Sequence, residues 1–257
     1  MNPVLIEIGP FEIRYYGLMY ILAIITSIAI LRKEVVRKGL ALIKDDIYNL
    51  VLLSVFGGVI SARIYYVVFN WDYYSSNLKE IPAIWHGGLA SHGGFIGGFI
   101  VAYLFLKKKK ISIRKISDSI VPLVILGEAF VRFGNFMNGE AHGVPTTLPW
   151  GIVFPQGSPA GDEFPNIPVH PTMLYQLIYN LIVFSFIWFY LRKKQFSDGF
   201  IAAISIILYS VGRFFIEGLR ADSLYIGPLR TAQLMSIILI FLMSLLIYKK
   251  RLWIRKN

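Results

Sequence analysis

The chain has no cysteine. It therefore holds no disulfide framework, no thiolate zinc cluster and no nucleophilic thiol of its own. Charge is also scarce. Of 257 residues, 16% are charged, against about 25% in an ordinary soluble domain. No P-loop, GxSxG or HExxH run occurs, and the four histidines do not fall at metal-ligand spacing. The first residues, MNPVLIEIGPFEIRYYG, carry Glu7 and Glu12 and no basic stretch before an apolar run, so they do not read as a signal peptide. Prenylation and myristoylation signatures, low-complexity segments and a convincing internal repeat are all absent from the sequence.

Apolar residues fill the space. They make up 56% of the chain, and aromatics 15%. This composition points to an all-α polytopic membrane protein, a single transmembrane domain over 1–257. Seven segments are long and apolar enough to be expected as spans: 15–31, 47–70, 87–106, 116–130, 171–191, 199–217 and 231–248. The fourth is the weakest, because it contains Asp118 and Glu128. Basic residues cluster on alternate connections: Arg32 to Lys44, Lys107 to Lys115, Arg192 to Lys194, and the tail from Lys249 to Lys256. Together these hold 19 of the 26 lysines and arginines. Positive-inside bias then puts the N-terminus outside and the C-terminus in the cytoplasm. The net charge of +11 is mostly topological, and nucleic-acid binding is rejected. The longest connection, 132–170, is expected on the outer side. His86, His92, His142 and His170 all lie on or near that side.

Charged groups inside a span cost about 2.5–3.5 kcal/mol each on insertion scales, so they mark candidate sites. Arg63, Glu128, Arg132, Arg213 and Glu217 qualify. In YSVGRFFIEGLR, Tyr209, Arg213 and Glu217 recur every four residues, with Arg220 three further on, so they share a helix face. The arrangement suits an arginine held by Glu217 and aimed at an anion; an internal ion pair that stabilises the bundle has the same pattern. In VRFGNFMNGEAHG, Arg132, Asn135, Asn138 and Glu140 are crowded beside the membrane. Arginine forks onto phosphate, and asparagine amides donate to phosphate or ester oxygens. The glycines of WHGGLASHGGFIGG form overlapping small-xxx-small pairs that let helices approach closely, and His92 lies one turn into that span. Tyr15, Tyr16 and Tyr20 could belong to an interfacial aromatic belt.

Read together, these runs resemble the bacterial prolipoprotein diacylglyceryl transferases. That family's signature, G-R-x-G-N-F-x-N-x-E-x-x-G, is matched from Arg132 through Gly143, with Val131 where the signature has glycine. RYYGLMY, SHGG, HP-x-x-LY and Y-x-x-x-R-x-x-x-E-x-x-R follow in the family's order. Gln176 stands where many relatives carry glutamate, and Ala221–Asp222 where a proline is common. The resemblance implies transfer of the sn-1,2-diacylglyceryl group from phosphatidylglycerol to the lipobox cysteine of a prolipoprotein signal peptide, with release of glycerol phosphate. It implies the bacterial cytoplasmic membrane as the location. It also implies that the essential groups are Tyr16, His92, Arg132, Asn135, Glu140, Gly143, Arg213 and Glu217, with Tyr209 nearby.

The chemistry agrees with that implication. The leaving phosphate gathers negative charge, which Arg132 and Arg213 can hold without a metal or cofactor. The substrate brings the nucleophile, so the enzyme needs no cysteine. A thiol of ordinary pKa, about 8.5, calls for a base; His92 suits, and Tyr16 or Glu140 could serve. The expected catalytic set is thus His92, Arg132, Arg213, Tyr16 and Glu140. The expected substrate-binding set is Arg132, Asn135, Asn138, Gly143, Tyr209, Arg213 and Glu217. Two other classes fit the buried arginines: an organophosphate transporter, disfavoured by the missing repeat, and a lipid-binding receptor without chemistry. A CDP-alcohol type transferase is disfavoured, since no D-G-x-x-A-R run occurs.

Overall fold

The computed structural model describes residues 1–9 and 11–255; Lys256, counted above in the basic tail, lies outside them. The elements run in order: β1 (Val4–Ile8), β2 (Phe11–Arg14), α1 (Tyr15–Arg37), α2 (Lys44–Phe69), α3 (Trp71–Tyr74), α4 (Ser91–Lys108), α5 (Ile113–Asn138), α6 (Pro159–Glu163), α7 (Thr172–Ser185), α8 (Phe200–Glu217), β3 (Tyr225–Ile226), β4 (Leu229–Arg230) and α9 (Thr231–Lys250). The fold is mostly helical, as hydrocarbon demands, because a helix satisfies its own backbone polar groups. The two short antiparallel hairpins, β1–β2 and β3–β4, were not foreseen from the sequence. The chain forms two compact units, Met1–Ala29 with Ser117–Asn257, and Ile30–Ile116.

Among the described residues, five helical stretches are long and apolar enough to cross a membrane: Lys44–Phe69, Ile113–Asn138, Thr172–Lys194, Phe200–Glu217 and Thr231–Lys250. The expected first and third spans fall on α1 and α4, outside those five. The fourth, the weakest in the sequence, lies in a helix of 26 residues. α7 is prolonged by a π turn, Phe186–Tyr190, and a 3₁₀ turn to Lys194, where Arg192 stacks 4.2 Å from the Trp188 ring centroid.

In the unit of residues 30–116, α2 packs on α4 through the predicted small residues. A Cβ at Gly93 would meet Ser61 O at 2.6 Å, and one at Gly97 would meet Gly57 O at 2.7 Å. Such contact between backbones is what small-xxx-small spacing permits. Arg63, a candidate functional charge in the sequence, has a structural position here. It donates to the carbonyls of Glu80, Ile81, Ala83, Gly87 and Gly88 at 2.5 to 3.3 Å, and its guanidinium lies 5.2 Å from the Tyr74 ring centroid. All five donors of an arginine can be used this way, so the charge holds the 80–88 loop.

In the other unit, buried Asp118 accepts from the backbone N–H groups of Gly199 at 2.9 Å and Ala202 at 2.8 Å. It caps α8 from a distant helix, which offsets the dipole and the orphan donors there. This is why a carboxylate sits in an otherwise apolar segment. α7 and α8 meet at Gly212, whose missing side chain leaves room for the Tyr179 ring, and Tyr179 donates its hydroxyl to Leu208 O at 2.6 Å. Ile125, Val183, Ile187 and Ile201 form the apolar core beside that contact. A second cluster, Phe154, Ala160, Val169 and Met173, lies under the 139–171 connection.

Candidate active site

The connection expected over 132–170 begins at Gly139 instead. α5 continues through Asn138, so Arg132, Asn135 and Asn138 are helical. Gly134, within the helix, abuts Tyr16: a Cβ there would come 3.0 Å from the Tyr16 Cα. The helix stops at Gly139, which has φ +70, a conformation glycine adopts without penalty.

Arg132 Nη2 pairs with Glu128 Oε1 at 2.6 Å, one turn back on α5, and Arg132 Nη1 donates to Asn135 Oδ1 at 3.3 Å. Arg132 Nε is buried and has no hydrogen-bond partner among the described residues. Glu140 does not hold Arg132 directly. Its two oxygens accept from Asn135 Nδ2 and Asn138 Nδ2, both at 3.1 Å. The link from Glu140 to Arg132 runs through Asn135, and Glu128 is the ion-pair partner of Arg132. An i, i+4 carboxylate one turn N-terminal to an arginine is the favoured helical orientation.

α8 supplies the second group. Arg213 Nη2 lies 2.6 Å from Glu217 Oε2, whose side chain is only 5% exposed. Ser223 donates to Glu217 Oε1 at 2.7 Å, and Arg220 Nη1 stands 3.7 Å from Oε2. Arg220 itself forks onto Asp222 at 2.9 and 2.8 Å. Arg230 donates to the carbonyls of Glu217 and Arg220, capping the end of α8. The two groups are joined by Tyr209, which donates its hydroxyl to Glu128 Oε1 at 3.0 Å. Arg213 lies within electrostatic reach of both Arg132 and Tyr209.

Gly143 is laced into this site by backbone. Its N–H donates to His170 O at 2.8 Å, and Val144 N–H donates to Leu219 O at 2.9 Å. A Cβ on Gly143 would meet His170 Cβ at 2.6 Å and Leu219 O at 2.7 Å. Nearby, buried His142 pairs through Nε2 with Glu163 at 2.9 Å, and Tyr175 links His170 Nδ1 at 3.2 Å with Trp150 Nε1 at 2.8 Å. Tyr16 stands by Gly134, its hydroxyl 3.3 Å from that of Tyr20. His92 belongs to the other compact unit, exposed in the first turn of α4 rather than one turn in.

Three residues of the cluster were left out of the expected site. Glu128 was visible as a span charge four residues before Arg132. Asn180 donates to Glu128 Oε2 at 3.4 Å, and Gln176 Nε2 donates to Asn180 Oδ1 at 2.8 Å. Both amides are fully buried. Gln176 stood out in the sequence as a departure from the family pattern, and its i, i+4 spacing in α7 points on to Asn180.

The arrangement can bind a phosphate. Two guanidinium groups on neighbouring helices are each held by a carboxylate, which fixes their direction before any ligand arrives. Pairing also offsets the cost of placing charge in a low-dielectric region. Arg132 Nε is a buried donor without a partner among the described residues.

Comparison with known proteins gives a consistent result. The family model described as prolipoprotein diacylglyceryl transferase matches residues 3–249. A protein of Fusobacterium nucleatum subsp. nucleatum is 40% identical, covering 93% of this chain and 95% of its own. One from Clostridioides difficile is 41% identical over 93% of this chain and 91% of its own. One from Lysinibacillus sphaericus is 41% identical, with 93% and 88% covered. Each of the three is named phosphatidylglycerol–prolipoprotein diacylglyceryl transferase.

Proposed function

The chain belongs to the prolipoprotein diacylglyceryl transferase family, and on that premise we propose that it transfers the diacylglyceryl group of phosphatidylglycerol to a prolipoprotein. It is a multi-pass membrane transferase of bacterial lipoprotein maturation. The acceptor is the thiol of the lipobox cysteine in the signal peptide. Sulfur attacks the glycerol carbon, the carbon–oxygen bond to phosphate breaks, and glycerol phosphate leaves with the bond's electron pair. Seven spans in the cytoplasmic membrane, with the N-terminus outside and the C-terminus in the cytoplasm, complete the reading.

One observation carries it: the Glu128–Arg132 and Glu217–Arg213 pairs, with Tyr209, from the helix of the second pair, bonded to Glu128 of the first. Arg132 and Arg213 take up the charge that grows on the leaving phosphate. Asn135 and Asn138, oriented by Glu140, hydrogen-bond the glycerol headgroup. A base takes the thiol proton, a role open to Tyr16 and Glu140 in the unit that holds the arginines, and Gly143 shapes the site. The chemistry asks for neither metal nor cofactor.

The test is mass spectrometry of a lipobox peptide incubated with the purified protein and phosphatidylglycerol. A diacylglyceryl increment on cysteine, lost with Arg132→Ala, is expected. No increment from folded wild-type protein sinks the proposal, and flux assays in vesicles would then test a transporter.

A further inference from the structure

We propose that Glu128 is a positioning residue for Arg132: its carboxylate aims the guanidinium and limits how tightly the site holds phosphate. The inference rests on the reading of Arg132 as a phosphate ligand and deepens it. Glu128 touches no reacting atom in this scheme and acts only through its neighbours.

The geometry is specific. One carboxylate oxygen, Oε1, takes both the Arg132 guanidinium at 2.6 Å and the Tyr209 hydroxyl at 3.0 Å. The other, Oε2, takes the Asn180 amide at 3.4 Å, and Asn180 is held in turn by Gln176 at 2.8 Å. α5, α7 and α8 therefore converge on a single carboxylate. The other two acids of the cluster are committed elsewhere, Glu217 to Arg213 and Glu140 to the two asparagines. Among the described residues, Glu128 is thus the ion-pair partner of Arg132 and the one side chain that bonds both it and Tyr209.

The charge has a consequence. Without a ligand, Glu128 neutralises Arg132. A phosphate arriving at the guanidinium meets a carboxylate already bonded to it, and like charges oppose each other. The carboxylate weakens ground-state binding of the lipid and of the released glycerol phosphate, which carries more charge than the diester. It favours product release while keeping the arginine's aim.

The amide chain makes a clean variant possible. Gln176 Oε1 is buried and has no partner among the described residues. In Glu128→Gln, the new amide N–H can donate to Asn180 Oδ1, Asn180 Nδ2 can turn to Gln176 Oε1, and the new carbonyl still accepts from Arg132 and Tyr209. The chain reverses its polarity with as many hydrogen bonds as before, so the charge is removed and the shape kept.

The experiment uses the full-length protein in detergent with Glu128→Gln, Glu128→Ala and, as a surface control, Glu12→Gln. Three quantities are read: kcat and KM for phosphatidylglycerol, Kd for glycerol phosphate by calorimetry, and thermal unfolding. For Glu128→Gln the expectation is unfolding close to wild type, a Kd and a KM each lowered about threefold or more, and kcat lowered about tenfold as product leaves slowly. Glu128→Ala should lose kcat further, with KM raised, because Arg132 and Tyr209 lose their anchor. Unchanged Kd and KM in a folded Glu128→Gln protein overturn the proposal. So do losses in both variants that follow unfolding temperature alone. Tighter glycerol phosphate binding in Glu128→Gln, with no peptide product from any protein, would uphold the inference at the phosphate site and defeat the transferase reading.

Discussion

The hydroxyl of Tyr209 donates to Oε1 of Glu128 at 3.0 Å, the same oxygen that takes Arg132 at 2.6 Å. A single atom on α5 therefore joins the tyrosine of one helix to the arginine of another. Removing the hydroxyl in Tyr209→Phe breaks that link and leaves the rest of the cluster in place. We expect kcat to fall about tenfold or more, against a stability change of only about 0.5–1.5 kcal/mol. Steady-state kinetics beside thermal unfolding separates the two, and an unchanged kcat would remove Tyr209 from the site.

Arg132→Lys and Arg213→Lys keep the charge and lose the two-pronged donor geometry. A lysine cannot hold its carboxylate and reach a phosphate in fixed directions at once. Turnover should fall at least tenfold in each, about 1.4 kcal/mol of transition-state stabilisation. Near wild-type turnover in both variants would refute the paired-arginine scheme.

Gly143→Ala tests packing. The added Cβ would press on His170 Cβ at 2.6 Å and on the Leu219 carbonyl at 2.7 Å. One of these is backbone and cannot swing away. A stability loss of about 1–3 kcal/mol is expected, read by denaturation in detergent. A variant as stable as wild type would show that this strand-like contact yields easily.

Arg63 makes a structural prediction. Arg63→Ala strips hydrogen bonds from five loop carbonyls and should cost at least about 2 kcal/mol. Asp118→Ala removes the cap from α8 and should cost about 0.5–2 kcal/mol. Differential scanning of both against wild type checks this; equal unfolding temperatures would mean that water replaces these partners.

Much of the molecule could be read in advance. Apolar runs located the helices, because a backbone in hydrocarbon has few alternatives. The glycine spacing of α4 announced close packing, and α2 meets it at Gly93 and Gly97. Spacing of four placed Arg213 beside Glu217, an ion pair that needs only one helix. The helix end was misjudged: the connection was expected from Arg132, and α5 runs on through Asn138. Arg63 looked like a site residue, and its loop partners lie 17 to 25 positions away.

The sequence by itself determined the helical membrane class, the charge alternation, and the arginines and carboxylates that share helix faces. Those properties depend on local period and composition. Only the tertiary structure decided that Tyr209 and Asn180 join the Glu128–Arg132 pair, because they reach Glu128 across 81 and 52 positions. It likewise decided that Asp118 caps α8 and that Gly143 is walled in by His170 and Leu219. A contact of that kind depends on how helices pack, and a period of 3.6 residues carries no record of the neighbour on the other side.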